Sequence, residues 1–252
     1  MKKIIIVIMS FLLIGCQQVQ SFEILENGKI ILDDVEYDLS STREILYEYD
    51  SNGNIIKRTI VNDEKTQHTE FVYKNDVLHE QKDYDNNELS ITHKYTYEDD
   101  KLLKEEAESP NGFKTTKEFT YDGNQQSILF RNSDGSVSFK HIGTLDDDGN
   151  IVYYETFDSN DDLLSQVYRT FKDDLLIYVI GQDVSGQSSL RVHEYNKHGD
   201  LILSYLVRYG DKNILNAVLY EHEYKNDHII KMTEYNIHSE IDTEHIRVIE
   251  EE

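Results

Sequence analysis

Apolar and polar positions alternate along most of the chain with the two-residue period of a strand. The clearest case is Tyr47-Glu48-Tyr49, which runs into the turn-forming Asp50-Ser51-Asn52-Gly53-Asn54 and restarts at Ile55-Ile56. The phrase returns at 24-residue steps: Tyr73, Tyr97 and Tyr121 stand where Tyr49 stands. Leu145-Asp146-Asp147-Asp148-Gly149-Asn150-Ile151 then keeps the turn without the aromatic, and Phe171, Tyr195 and Tyr224 follow at steps of 26, 24 and 29 residues. Two residues before each of these marks lies a second periodic site on the same strand face, held by Tyr47, Phe71, Tyr95, Phe119, Gly143, Arg169, His193 and His222. An aliphatic pair reopens the chain after each turn except in the fourth unit, where Asn124-Gln125-Gln126 occurs. A second turn, such as Ser133-Asp134-Gly135-Ser136, falls half a period later.

Each unit is therefore two strands and two turns, with no 3.6-residue apolar stripe to make a helix. The pattern predicts an all-β fold: an antiparallel hairpin-repeat meander of about eight units, forming a curved or rolled superhelical sheet. Aromatics stack on one face and Glu, Lys, Thr and Asp occupy the other. Ahead of the repeats, Phe22-Glu23-Ile24-Leu25 and Ile30-Ile31-Leu32 flank an Asn27-Gly28 hairpin turn. The expected organisation is a leader over 1–15, a tether over 16–21, an N-terminal hairpin or cap over 22–42, the repeat domain over 43–240 and an acidic tail over 241–252.

The leader follows a different pattern. Lys2-Lys3 precedes an apolar run from Ile4 to Ile14, too short for a permanent membrane span and the right length for a signal-peptide core. The run ends Leu13-Ile14-Gly15-Cys16, which resembles the bacterial lipobox. That resemblance implies cleavage between Gly15 and Cys16 and a covalent lipid on Cys16, the only cysteine. The expected location is the bacterial cell envelope, lipid-anchored to a membrane; Gln17 after the Cys permits the outer membrane of a Gram-negative cell.

Tyr47-x-Tyr-Asp-x-x-Gly-x-Ile55 resembles the YD repeat of Rhs and teneurin-type proteins, with fragments at Phe119-Thr120-Tyr121-Asp122, Asp148-Gly149-Asn150-Ile151 and Tyr195 to Leu201. The resemblance covers about residues 43–240. Large members wind such repeats into a shell around a cargo; this chain looks too short for that enclosure.

Composition narrows the function. Only 38% of residues are hydrophobic, yet 18 Tyr and 9 Phe argue against disorder. A formal charge of −24 repels phosphate backbones, so no nucleic acid is expected as a partner. One cysteine excludes an internal disulfide or a Cys-based metal site. None of the ten His falls in a His-Glu-x-x-His pattern. Asp158-Ser159-Asn160-Asp161-Asp162 begins like a calcium loop, but Leu163 replaces its Gly. The carboxylate density leaves room only for weak divalent-cation binding, and no catalytic residue, cofactor or metal centre is expected. No Gly-x-Ser-x-Gly elbow or phosphate loop appears.

These features point to a lipid-anchored extracytoplasmic protein that binds or scaffolds an envelope protein or glycan. An immunity or accessory role beside an Rhs-like toxin is the alternative, resting on the resemblance alone; an uncharacterised envelope enzyme comes third. Because the Tyr47–Ile55 phrase is structural, ligand contacts are expected where units depart from it, at Arg169, His193 and His222. A Cys16→Ala variant should leave the membrane pellet for the soluble fraction in detergent-free buffer; retention in the pellet would refute the anchor.

Overall fold

The computed structural model describes residues 22–25, 29–32, 35–62, 65–208 and 214–237. The leader, Gly15, Cys16, the tether and the acidic tail lie outside them. Every regular element is a strand: β1 (Phe22–Leu25), β2 (Lys29–Leu32), β3 (Val35–Tyr49), β4 (Ile55–Val61), β5 (Thr66–Lys74), β6 (Val77–Asp85), β7 (Glu88–Glu98), β8 (Lys101–Glu108) and β9 (Lys114–Asp122). The second half continues with β10 (Gln125–Arg131), β11 (Val137–Leu145), β12 (Ile151–Asp158), β13 (Leu163–Lys172), β14 (Leu175–Asp183), β15 (Ser188–Tyr195), β16 (Leu201–Arg208), β17 (Ile214–Lys225) and β18 (His228–Ile237).

Two turn chemistries connect the strands. The Asp-x-x-Gly-Asn turns place Gly53 and Gly149 at φ of 88° and 85°, where a side chain would be strained. The first turn residue caps its own loop: Asp50 Oδ1 accepts from the backbone N–H of Asn52 and Asn54 at 2.8 and 2.9 Å, and Asp146 accepts from Asp148 and Asn150 in the same way. Hydrogen bonds to these carboxylates hold Asp50, through Asn54 first, below the usual Asp range. Tighter connections use two positive-φ residues, as at Asn75-Asp76 and Asp99-Asp100, which is the backbone of a type I′ hairpin turn.

The aliphatic pairs have a specific job. Glu48 pairs with Lys57 and Tyr49 with Ile55, so Ile56 is an extra residue, a β-bulge beside the mark. The same shift stands between Val72 and Tyr73, Thr96 and Tyr97, Thr144 and Leu145, Thr170 and Phe171, Glu194 and Tyr195, and Glu223 and Tyr224. In the fourth unit, which lacks the pair, Asp122 faces Gln125 with no shift.

The expected curved or rolled superhelical sheet is not what forms. The antiparallel meander is present, but β18 pairs back onto β3, Lys231 with Leu46 through Asn236 with Ser41, closing β3 to β18 into a sixteen-stranded barrel. Strands of about eight residues give sixteen staves, enough to close the sheet, from so short a chain. β1 and β2 extend the hairpin pattern from the first half of β3, which continues directly into the barrel wall. Paired residues can be followed around the wall from Tyr47, with three four-residue steps up β7, β11 and β15, back to Ser41 on β3. That stagger of about 18 residues sets a strand tilt of about 38° and a wall radius of about 15 Å.

One hydrogen bond recurs between successive units at three junctions. Tyr121 Oη donates to the Leu102 carbonyl at 3.1 Å, and Tyr195 Oη to that of Leu176 at 2.8 Å; each acceptor pairs with the mark of the preceding unit. Tyr49 Oη donates to the Ile229 carbonyl at 2.7 Å, making the same contact across the seam between the last unit and the first.

The wall has two unlike faces. The marks and their partners two residues earlier point inward and are shielded, while their neighbours Lys94, Thr96, Thr120 and Thr170 are exposed. Outward positions on β3 to β9 carry Glu48, Lys57, Glu70, Lys82, Lys104, Glu106 and Glu118. Outward positions on β10 to β14 carry Leu129, Ile142, Tyr153, Phe157, Tyr168, Tyr178 and Ile180 beside Lys140 and Glu155, and over β15 to β18 Val192, Leu203, Tyr205, Val207, Ala217, Leu219 and Ile237 form the main buried cluster. Glu194 lies in that sector with Oε2 buried and unpaired, and burial pushes its carboxyl up to about 7.

The seam also carries an ion pair, Arg43 with Glu234, the latter with only 7% of its side chain exposed. Arg43→Ala strands this carboxylate. The expected loss is about 2 kcal/mol, below the value for a fully enclosed pair because Arg43 is half exposed. Lys104→Ala, which breaks an outer-wall pair with Glu106, should cost under about 0.5 kcal/mol. Urea denaturation checks both, and equal losses would contradict the seam's importance.

Candidate functional site on the inner wall

The inner wall divides into two sectors of different chemistry. On β5 to β9 the charges are mutually satisfied. Asp83 accepts from Thr69 Oγ1 at 2.8 Å and from Gln81 Nε2 at 3.1 Å, and its Oδ2 lies 3.2 Å from His93 Nε2. His93 Nδ1 lies 3.0 Å from Glu105 Oε1, and Lys117 Nζ donates to Glu105 Oε2 at 2.8 Å. The register produces this chain of contacts: Thr69 faces Asp83, Gln81 faces His93 and Glu105 faces Lys117. Hydrogen bonds to Asp83 and Glu105 raise His93 to about 9, so it is an imidazolium donating to both carboxylates at neutral pH. Burial pushes Asp83 up, but the bonds from His93, Thr69 and Gln81 outweigh it and the net shift is downward. His93 and Lys117 hold Glu105 down in the same way against its burial.

The sector on β10 to β17 is the reverse. Its inward strand positions carry Arg169, Arg191, His141, His193 and His222, and among the described residues no carboxylate pairs with either Arg. Arg191 donates to Ser204 Oγ at 3.3 Å. The guanidinium of Arg169 sits 5.1 Å from the centre of the Tyr154 ring, with its Nε buried and without a partner. Burial, reinforced by Arg169, lowers His141; burial with Arg191 beside it lowers His193, whose Nδ1 is also unpartnered. Burial lowers His222 against the opposing pull of Asp200. The three rings are thus neutral polar groups at pH 7.

Arg169, His193 and His222 all project into the lumen from β13, β15 and β17, one unit apart. They share a face and a height without touching one another. Arg169 lines a recess of about 140 Å³ together with Gln126, Ile128, His141, Gly143, Ile151 and Tyr154. Every one of these residues is on the inner face of β10 to β13. The recess lies where the fifth unit has Gly143 at a position that most other units give to a ring. A Cβ there would come within 3.2 Å of Ile151 Cγ2. Gly143 was visible in the sequence as a gap in the periodic site; His141 and Tyr154 join it only through the cross-strand register.

No group of three or more His, Cys, Asp or Glu among the described residues is placed to hold a metal ion. The Asp-rich turns spend their carboxylate oxygens on their own backbone.

Neither a family model nor a curated protein matches the chain. Among solved structures it is similar to a porin-like protein from Bacteroides uniformis ATCC 8492, at 13% identity and a TM-score of 0.42, over 80% of this chain and 96% of that one. It is also similar to a porin-like protein from Bacteroides vulgatus ATCC 8482, at 9% identity and a TM-score of 0.36, over 78% and 97% of the two chains.

His93 couples stability to pH. Its folded pKa of about 9 lies above the ordinary 6.5, so its contribution is complete below pH 6.5 and is lost as pH rises through about 9. Wild-type stability should fall by on the order of 2 kcal/mol over that window. His93→Gln should flatten the slope in denaturation curves at pH 6, 7.5 and 9; an unchanged slope would refute the network.

Proposed function

We propose that the protein is a lipid-anchored envelope lipoprotein whose barrel stands in water and uses its lumen as a binding chamber. One observation carries this reading: β3 to β9 are charged outside, and β10 to β17 hold uncompensated Arg and neutral His inside. A barrel that spans a bilayer presents an outward apolar band about 25 Å tall, and Lys or Arg at its midplane costs about 2–4 kcal/mol each. Here β3 to β9 turn Glu and Lys outward along their length. The anchor therefore falls to the lipid on Cys16. A wall radius of about 15 Å leaves a water-filled interior once side chains are seated. Its partner is an envelope protein segment or glycan able to enter that chamber. The repeats then act as staves, consistent with the YD-like phrase serving the wall and not the ligand.

Two measurements test the proposal. The purified full chain should give no channel steps in planar bilayers; stable unitary conductance would overturn it. Envelope material retained by the wild type should be salt-sensitive, lost with Arg169→Gln/Arg191→Gln and kept with the outer-wall Lys104→Gln. Retention that ignores the luminal pair would place binding elsewhere.

A further inference from the structure

We propose that the recess at Gly143 is a binding site for a small organic monoanion: a carboxylate carried on an apolar body about the size of a benzene ring. This rests on reading the lumen as a water-filled chamber. Three independent features of the recess converge on that chemistry.

The first is volume. The recess measures about 140 Å³, and a protein cavity of about 150 Å³ accommodates benzene. It is created by a missing side chain, since Tyr47, Phe71, Tyr95 and Phe119 fill the equivalent position in the first four units. A planar ring entering here takes the place of the absent aromatic, between Ile128 and Ile151 with Tyr154 at its side.

The second is charge. Arg169 is always protonated, its Nε is buried without an acceptor, and its described contact is the face of Tyr154. Elsewhere on the inner wall Lys117 has Glu105 and Arg43 has Glu234, while Arg58, whose Nε is likewise buried without an acceptor, donates to Thr69 Oγ1 and lines no such recess. A guanidinium presents paired donors in the geometry of a carboxylate. Seating a carboxylate on Arg169 would supply the acceptor that the wall omits.

The third is selectivity. His141, kept neutral by burial beside Arg169, and the Gln126 amide are the other polar groups of the recess. They offer a limited number of donors and no second fixed cation. The protein's charge of −24 repels polyanions. A single carboxylate matches one guanidinium; a polyphosphate or polysulfate does not.

The test is calorimetric titration of the full-length chain in detergent with benzoate, benzamide and benzamidinium as probes. Benzoate should bind saturably, and benzamide about tenfold or more weakly, since a charge-assisted hydrogen bond is at stake. Benzamidinium should not bind. Arg169→Gln should reduce benzoate to the level of benzamide, and Gly143→Val, which fills the recess, should abolish both, with far-UV spectra unchanged. Lys104→Gln on the outer wall should bind as wild type. Equal affinity for benzoate and benzamide, an Arg169→Gln variant that binds normally, or no saturable benzoate binding would each overturn the proposal. If benzoate fails while the luminal double variant still loses envelope material, the recess is refuted and the chamber stands. If benzoate binds as described in a protein that conducts in bilayers, the chamber reading falls and the recess stands.

Discussion

The fold depends on closure of the sheet by β3 and β18, and one contact recurs at that seam: a mark tyrosine donating its hydroxyl to the carbonyl opposite the previous unit's mark. A β-bulge disrupts the local ladder, and the tyrosine of the next unit reaches over to satisfy a carbonyl there. Tyr121 and Tyr195 do this within the chain, and Tyr49 does it to Ile229 from the other end of the sequence. The seam thus carries the same hydrogen bond as the junctions made by Tyr121 and Tyr195. An open array would leave β3 and β18 as bare edges, with the attendant risk of pairing to other chains. Closure removes both edges and lets sixteen short staves, none with a core of its own, share one hydrogen-bonded ring.

Around that ring the alternation of side chains sorts charge by face. Outside, Glu and Lys pair in the solvent-exposed manner of Lys104 with Glu106 and stabilise little. Inside, the network from Thr69 to Lys117 is saturated, with donors and acceptors matched across five strands. The opposite arc is left unmatched, with Arg169 and Arg191 lacking carboxylates. The two arcs are built from the same repeat. The difference lies in which residues each unit places two and four positions before its mark and on the returning strand: Asp83 and Glu105 stand on returning strands of the first arc, and among the described residues no carboxylate pairs with Arg169 or Arg191 in the second.

Much of this was legible in the sequence. The strand and turn pattern, the Asp-capped Gly turns and the 24-residue period follow from local chemistry, and local chemistry is what one sequence displays. The aliphatic pairs were visible, and so was their absence in the fourth unit; that they build a bulge needed the register. Arg169, His193 and His222 stood out as breaks in the aromatic ladder, and they do line one interior arc. Closure was not legible. It is decided by strand number and stagger summed over the whole sheet, and Tyr49 looks no different for having Ile229 as its acceptor. His141 and Tyr154 escaped notice for a related reason: they fall outside the periodic sites, and only pairing across β11 to β13 sets them beside Gly143. The network centred on His93 was hidden likewise, since Asp83 and Glu105 are ordinary strand carboxylates until the register aligns them.

The likeness of the seam to the Tyr121 and Tyr195 junctions has a consequence for size. Each unit adds two staves, and at fixed tilt the radius of a closed sheet rises in proportion to strand number. Losing or duplicating one 24-residue unit would therefore leave the joints chemically intact and change the bore by a discrete step, about 2 Å in radius. The diameter of the chamber is a count of repeats, so an array of this kind can be regauged for a wider or narrower guest by unequal recombination alone, without redesigning a single contact.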